Sequence, residues 1–517
     1  MEDVRLTTAP TRPLEDLRID RQSETPVYLQ IVHAIRERIS AGALPVGTRL
    51  PPERKLAEEL GVNRSTVFQA YRELKERGLL GARVGSGTVV LPPQVTSADP
   101  ALRGRAIPWN QLFRAPAASD PDPLLRDLLS LTEREDLISF AVGLPSPDCL
   151  PIADVQRIFA ELSEEAGASL YLHCPTEGHT PLREALSVWA DSRGIETNAS
   201  ELLVLSGSQQ GLDLAARVFL SPGDAVVVEE PTYIGALHVF RDAGARLLSV
   251  PADADGMRTD LLANLLEKNR PKLIYTLPTF QNPSGSVLSL ERRRHLLDLS
   301  LRHQVPILED DPYSELRYEG EPLPSLRGME GGESVLHLST FSKLLLPGLR
   351  VGWLVAPPPV IRRFALAKQS IDLHTNTVAQ MILDRFVREG LLEAHLEMVR
   401  SAYRKKRDLI HSVLSVKAPA GLSWRSPQGG FYVWGRLPDG IDSSRLLGIA
   451  ADAGVAYLPG WPCFAAEGGE RYFRLNFTYP EGDRIVEGVE RLMQAIETAA
   501  LLPEAGRKRR AGTPPIV

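Results

Sequence analysis

Apolar positions change their spacing several times along this 517-residue chain, and each change marks a different kind of structure. Between residues 26 and 78 they recur at helical intervals. Tyr28, Ile31, Val32, Ile35 and Ile39 form one face, and the turn ALPVGTRLPP ends that helix. ERKLAEEL predicts a second helix stopping at Gly61, and RSTVFQAYRELKERG a third, with Asn63 at its N-cap. GARVGSGTVVL then alternates and turns on Gly85, Ser86 and Gly87, a hairpin pattern. Residues 1–24 are polar and proline-containing and read as a mostly loose arm. From 93 to 130 the composition shifts to Pro, Ala, Asp and Ser, a linker far longer than the about 4–6 residues that usually join elements.

Beyond the linker, apolar runs of strand length alternate with amphipathic helices. The runs are ELLVLSG, AVVVEEP, ARLLSVP, PKLIYTLP, VPILEDD, SVLHLST and LRVGWLVAP. Their hydrophobicity is continuous rather than alternating, so the strands are covered on both faces, as in a mostly parallel α/β sheet. From about 380 the pattern becomes long charged helices followed by FYVWGRL and YFRLNF, which predicts a smaller α+β lobe reaching residue 500. Residues 501–517 form a short basic tail. No internal repeat is apparent.

Composition refines this picture. With 43% hydrophobic residues the chain can bury large cores, and its length suggests two or three domains. A net charge of −6 argues against a protein that coats nucleic acid along its whole surface. The charge is unevenly spread, however: residues 26–92 hold ten Lys/Arg and six Asp/Glu, or +4, which leaves −10 for the rest. A basic module on an acidic body points to an N-terminal part that meets phosphates. Cys149, Cys174 and Cys463 are far apart with no metal-binding spacing, which fits a reducing compartment. The start MEDVRLTTAPTRP lacks a secretion pattern, and no uncharged apolar stretch reaches the ~18 residues of a membrane span. A cytoplasmic protein is expected.

Two short helices joined by a tight turn, then a glycine-tipped hairpin, make a winged helix-turn-helix. Its second helix would lie in the DNA major groove with Arg64, Ser65 and Thr66 nearest the base edges. Arg49 and Arg54 around the preceding turn, with Arg83 and Gly85 at the wing, are candidate backbone contacts. The runs GTRLPPERKLA, NRSTV and GSGTVV stand in the order of the GntR-type winged helix, which residues 24–92 closely resemble.

In the second part, five polar clusters directly follow apolar strands: SGSQQG, PTY, TFQNPSG, DDPY and STFSK. Ligands of open α/β sheets bind beyond the carboxyl ends of strands. A lysine buried at such an end, Lys343, has a lowered pKa and an amine nucleophilic toward an aldehyde. Asp310 on a neighbouring strand is placed to keep a pyridine nitrogen protonated, which pyridoxal 5'-phosphate needs as an electron sink. Ser208, Gln209 and Gln210 open a helix whose N–H groups suit a phosphate, although Ser208 and Gln210 would also serve as caps. Tyr233 is placed to stack on a cofactor ring or to pack in the core. Asn282 and Tyr313 suit a phenolic oxygen, Thr340, Ser342 and Arg350 a phosphate, and Arg474 the carboxylate of a substrate.

With these motifs, residues 131–500 resemble the fold-type I aminotransferases. The resemblance implies that Lys343 bonds the cofactor, Asp310 contacts its pyridine nitrogen, Asn282 and Tyr313 its phenolic oxygen, and Arg474 with Gly143 holds an amino acid's carboxylate. His173 departs from that family, which has a tyrosine in its Tyr-x-Pro-Thr-x-Gly context reaching the partner subunit's phosphate. Here the run is His-Cys-Pro-Thr-Glu-Gly, with Tyr171 two residues earlier, so that contact stays open. The two parts together resemble the MocR-type bacterial regulators. This implies a homodimeric, PLP-dependent regulator that binds operator DNA and senses an amino compound or the cofactor itself. A true aminotransferase with an accessory DNA-binding domain is the alternative. A repressor with a dead dimerisation fold is disfavoured by Lys343 and Asp310.

Overall fold

The structure is a computed structural model that describes residues 14, 17, 19, 26–40, 42–83, 87–91 and 137–501, with only the backbone described at Ser40, Glu76, Ala82 and Arg83. The expected linker lies outside this set, as do Gly85 and the tail beyond Leu501. The chain divides into two compact units, residues 1–116 and 117–517.

The first unit has helices α1 (Val27–Ser40), α2 (Glu53–Leu60) and α3 (Arg64–Glu76), then the antiparallel hairpin of β1 (Leu80–Arg83) and β2 (Gly87–Val90), paired from Leu80↔Val90 to Arg83↔Gly87. The helical apolar spacing is what closes its core: Ile31, Val32, Ile35, Leu56, Val67, Ala70, Tyr71 and Leu74 are all buried. Tyr71 donates its hydroxyl proton to the Pro51 carbonyl (2.8 Å), tying α3 to the turn before α2. α2 ends in a left-handed Gly61 (φ 63°), which closes the helix at low cost because no Cβ opposes that conformation.

One expectation is corrected here. Leu14 and Leu17, inside the arm read as loose, are buried in the core of this unit, one turn apart and joined by Leu17 N–H to Leu14 O (3.2 Å). The charged residues around these two leucines masked their apolar signal. Asn63 does occupy the N-cap position of α3, but its side chain makes no capping hydrogen bond.

Among the described residues of the second unit, an eight-stranded sheet runs in the order β4-β11-β10-β9-β8-β5-β6-β7. The strands are β4 (Leu202–Leu205), β5 (Ala225–Glu230), β6 (Arg246–Asp253), β7 (Gly256–Met257), β8 (Leu273–Thr276), β9 (Ile307–Asp310), β10 (Val335–Thr340) and β11 (Gly352–Val355). β10, β9, β8, β5 and β6 pair in parallel, while β11 is antiparallel to both β10 and β4. β4 therefore runs in the same direction as the others, and all five polar clusters lie at one sheet edge. β8, β9 and β10, inside the sheet, and β4 at its end are buried throughout, as their continuous apolar runs require. β6, near the sheet margin, is only partly buried, contrary to its reading as a strand covered on both faces.

The smaller lobe carries the sheet β12-β13-β16-β15, with β12 (Ser423–Trp424), β13 (Tyr432–Arg436), β15 (Leu458–Pro459) and β16 (Tyr472–Asn476). It also takes in β3 (Ile138–Ser139), which pairs in parallel with β14 (Val455–Ala456), so the lobe recruits the start of the unit as well as its end. The helix Gly482–Leu501 packs its buried face, including Ile485, Val489 and Leu492, on this lobe. No helix among the described residues is long and apolar enough to cross a membrane.

Candidate functional site

Lys343 follows the end of β10 in the short helix Phe341–Leu344, which Thr340 caps by accepting the Ser342 N–H (3.1 Å). Its Nζ donates to the Gly143 carbonyl (2.6 Å). Burial, reinforced by the nearby Arg474 and Arg350, lowers its pKa from 10.5 to about 8, and Asp310 opposes the shift. With that pKa roughly a tenth of the amine is neutral at pH 7, far more than for an ordinary lysine.

Asp310 ends β9 and is buried. Its Oδ2 accepts the Tyr275 hydroxyl (2.8 Å), while Oδ1, equally buried, has no hydrogen-bond partner among the described residues. Burial raises its pKa to about 7, the Tyr275 bond pulling the other way and Asp311 adding to the rise. A carboxylate held like this lacks a proton donor or a cation on one oxygen, and a protonated pyridine nitrogen supplies both. The residues therefore fit pyridoxal phosphate.

At the opposite end of this group lies a second cradle. Gly207, at φ 90°, precedes Ser208, the first residue of α4 (Ser208–Phe219). The loop requires glycine there for its conformation, and a Cβ on Gly207 would also come within 2.6 Å of Arg350 Nη2 and displace that guanidinium. Arg350 also donates to Ser342 Oγ (3.2 Å), and Thr340 and Ser342 share a hydroxyl contact of 3.1 Å. Free helix N–H groups, two hydroxyls and a guanidinium thus meet, the donor set of a phosphate site. Gln209 accepts from the Tyr233 hydroxyl (3.3 Å). The Gln210 side chain is instead engaged elsewhere: it donates to Asp372 (2.7 Å) and accepts from Ser206 N–H (2.8 Å) and Lys368 Nζ (3.0 Å). Lys368 and Asp372 lie on α5 (Pro358–Asp372), and their 2.8 Å ion pair, with the lysine fully buried, braces the loop from behind.

On the small-lobe side, Arg474 of β16 donates to Asn282 Oδ1 (2.9 Å) and to the Ala141 carbonyl (2.5 Å). Its buried Nε has no partner among the described residues. The guanidinium lies 4.2 Å from the centre of the Tyr432 ring, and the Tyr432 hydroxyl is 2.9 Å from that of Tyr313. A Cβ on Gly143 would collide with the Tyr432 hydroxyl, so that turn also needs glycine. Tyr275 and Tyr432 were missed by sequence reasoning. The only signal for either is cross-strand register: Tyr275 stands opposite Leu308, two residues before Asp310, and Tyr432 opens the strand that pairs with Arg474's. His173 meets His374 (Nδ1 to Nε2, 2.7 Å) at an exposed place beside Tyr171.

In the first unit, Arg64 is exposed and stands 3.7 Å from Glu53 of α2. Ser65 is exposed and Thr66 turns to the flank of α3. Among the described residues Arg54 pairs with the exposed Glu58 (3.4 Å). Arg49 bridges to Val89 of the wing, its Nε next to Gly87. Arg83 pairs Gly87 through its backbone, and Gly85 falls outside the described residues.

Comparison with known proteins agrees with this geometry. Residues 135–492 match the family "Aminotransferase class I and II" and residues 27–90 the family "Bacterial regulatory proteins, gntR family". The aromatic-amino-acid aminotransferase 1 of Thermococcus litoralis is 40% identical over 402 residues, 77% of this chain and 96% of that protein. The probable rhizopine catabolism regulatory protein MocR of Rhizobium meliloti is 30% identical over 495 residues, 94% of this chain and 97% of that one. The crystal structure of the α-aminoadipate aminotransferase of Thermus thermophilus, complexed with N-(5'-phosphopyridoxyl)-L-leucine, superposes with a TM-score of 0.72 at 37% identity, covering 76% of this chain and all of that one. The chain belongs to the class I and II aminotransferase family, in the composite form with a gntR-type domain that MocR-type regulators have. Its cofactor is pyridoxal 5'-phosphate.

Proposed function

We propose that this protein is a PLP-dependent transcriptional regulator that binds operator DNA through residues 24–92 and senses an amino compound, or the cofactor itself, through residues 131–500, with 93–130 as linker. The observation that carries the reading is one chain holding both a basic gntR-type domain and an aminotransferase fold in which Lys343, Asp310 and Arg474 gather at one sheet edge. In that centre Lys343 would bond the cofactor's aldehyde carbon, Asp310 its pyridine nitrogen, and Asn282 and Tyr313 its phenolic oxygen. Tyr233 would lie on the ring, and Ser208, Gln209, Thr340, Ser342 and Arg350 would take the phosphate, whereas Gln210 has its side chain engaged by Ser206, Asp372 and Lys368 and its N–H by the Gly207 carbonyl (3.2 Å). When bound, the cofactor supplies an electron sink next to an attached amine. The chain's own part is to hold and orient. Arg474 exchanges its bond to Asn282 for a carboxylate, and the Tyr432 ring keeps its guanidinium in place.

A homodimer in the cytoplasm, presenting two winged helices to paired half-sites, completes the proposal. It is supported by a surface beside the centre where Tyr171, Leu172 and Leu373 are 65%, 62% and 55% exposed. Its test is a screen of amino acids against the cofactor's visible spectrum. Arg474→Ala should weaken the response to a responsive amino acid by about 100-fold, since a bidentate carboxylate contact and its desolvated charge are lost together, while the DNA affinity of the unliganded protein stays unchanged. An unaltered response in that variant would remove Arg474 from ligand capture. The 40% identity to a transaminase favours one rival, a working aminotransferase. Repeated cycling of the spectrum by an amino donor and a keto acceptor would establish it.

A further inference from the structure

The recognition helix has a face that the reading of Arg64, Ser65 and Thr66 does not cover. Val67, Ala70, Tyr71 and Leu74 are buried, which fixes the inward side of α3. The outward side is then Ser65, Phe68, Gln69 and Arg72, spaced i, i+3, i+4 and i+7 and all exposed. Ser65 belongs to this exposed side, whereas Thr66 is only half-exposed and turns to the flank.

Phe68 is the unusual member. Its ring is 51% exposed in the middle of a polar, basic face, and Val46 is the other exposed large apolar residue of this unit among the described residues. A single exposed apolar side chain is common and by itself means little. This one, however, sits between a hydroxyl, an amide and a guanidinium, on the outward face of a unit carrying a charge of +4. The DNA major groove has one apolar group on its base edges, the C5 methyl of thymine, and offers adenine N6 and N7 to an amide. Each of these four side chains has a matching partner there.

We propose that Phe68 reads a thymine through its C5 methyl group, with Gln69 taking a nearby adenine. The inference rests on the DNA-binding reading above and adds the bases it selects. The phosphate contacts of Arg49 and Arg54 would position the helix without choosing a sequence.

The test uses the full-length protein and duplexes it enriches from a randomised pool. An enriched duplex is resynthesised with deoxyuridine replacing one thymidine at a time, which removes only the methyl. At one thymine of the half-site the wild type should lose about 4-fold in affinity, the value of one buried methyl. Phe68→Ala should bind the thymidine duplex about tenfold more weakly and no longer distinguish deoxyuridine at that position, with thermal stability unchanged because much of the ring is already in solvent. Deoxyuridine tolerated everywhere by the wild type, or sensitivity retained in Phe68→Ala, overturns the assignment while leaving DNA binding intact. Failure to enrich any duplex would bring down the DNA-binding reading and this inference with it.

Discussion

Lys343→Ala protein, incubated with pyridoxal 5'-phosphate, reduced with borohydride and denatured, will retain no covalently attached cofactor, whereas the wild type will retain it stoichiometrically. The expected effect is total because no other amine among the described residues combines the needed features. Lys343 is held at the sheet edge by Gly143, its pKa lowered to about 8 by burial and by two arginines, within range of Asp310. Lys368, a fully buried lysine, is locked between Asp372, Gln210 and Thr375. Attachment at Lys368, or undiminished attachment in Lys343→Ala, would displace Lys343 from its role.

Asp310→Asn should act in opposite directions on the free protein and on its complex. A buried acid with a raised pKa binds its proton more tightly in the folded chain than in the unfolded one. Its contribution is therefore favourable below its ordinary value near 3.8, fades as pH rises, and is lost once pH passes about 7. Removing the charge should stabilise the cofactor-free protein at pH 8 by roughly 2–4 kcal/mol, with little change near pH 4. The same substitution should weaken cofactor binding by about 100-fold or more, because a protonated pyridine nitrogen loses its counter-charge. Thermal unfolding at the two pH values, with a cofactor titration, measures both. An Asn variant with unaltered cofactor affinity would mean that Oδ1 of Asp310 faces something other than the ring nitrogen.

Much of this was legible because local rules decided it. Continuous apolar runs gave the buried strands, and the parallel direction of five of them brought their polar ends to one edge. Lys343 and Asp310 stood out because an ionisable group at the end of a buried strand needs a reason. Contacts set by register across distant parts of the chain left no such mark. The Tyr313–Tyr432 pair joins the two lobes, and Tyr432 was visible only as a strand residue. Lys368 and Asp372 read as an ordinary i, i+4 helix pair, and only packing reveals that the lysine is buried and occupies Gln210. Arg64, Ser65 and Thr66 were grouped by their place at the helix start, whereas the burial of Val67, Ala70 and Tyr71 decides which side faces outward. Ile138 and Ser139 pair with Val455 and Ala456, a partnership that two residues of sequence cannot announce.

The central claim is that one chain couples amine binding to DNA binding. On the proposed reading, a carboxylate taken by Arg474 would draw the small lobe toward the sheet edge, and such a movement would bias how the winged helices are presented. Thermodynamic linkage then fixes the result whatever the path between the units: an effector that changes operator affinity must have its own affinity changed by operator in equal proportion. The direct measurement is a titration of a responsive amino acid, followed by the cofactor's visible spectrum, with and without saturating operator duplex. The account predicts two dissociation constants differing by about 5–150-fold, matched by the factor with which that amino acid shifts operator binding. Equal constants in the two titrations, with both ligands demonstrably bound, would contradict it and leave a transaminase joined to an uncoupled DNA-binding domain.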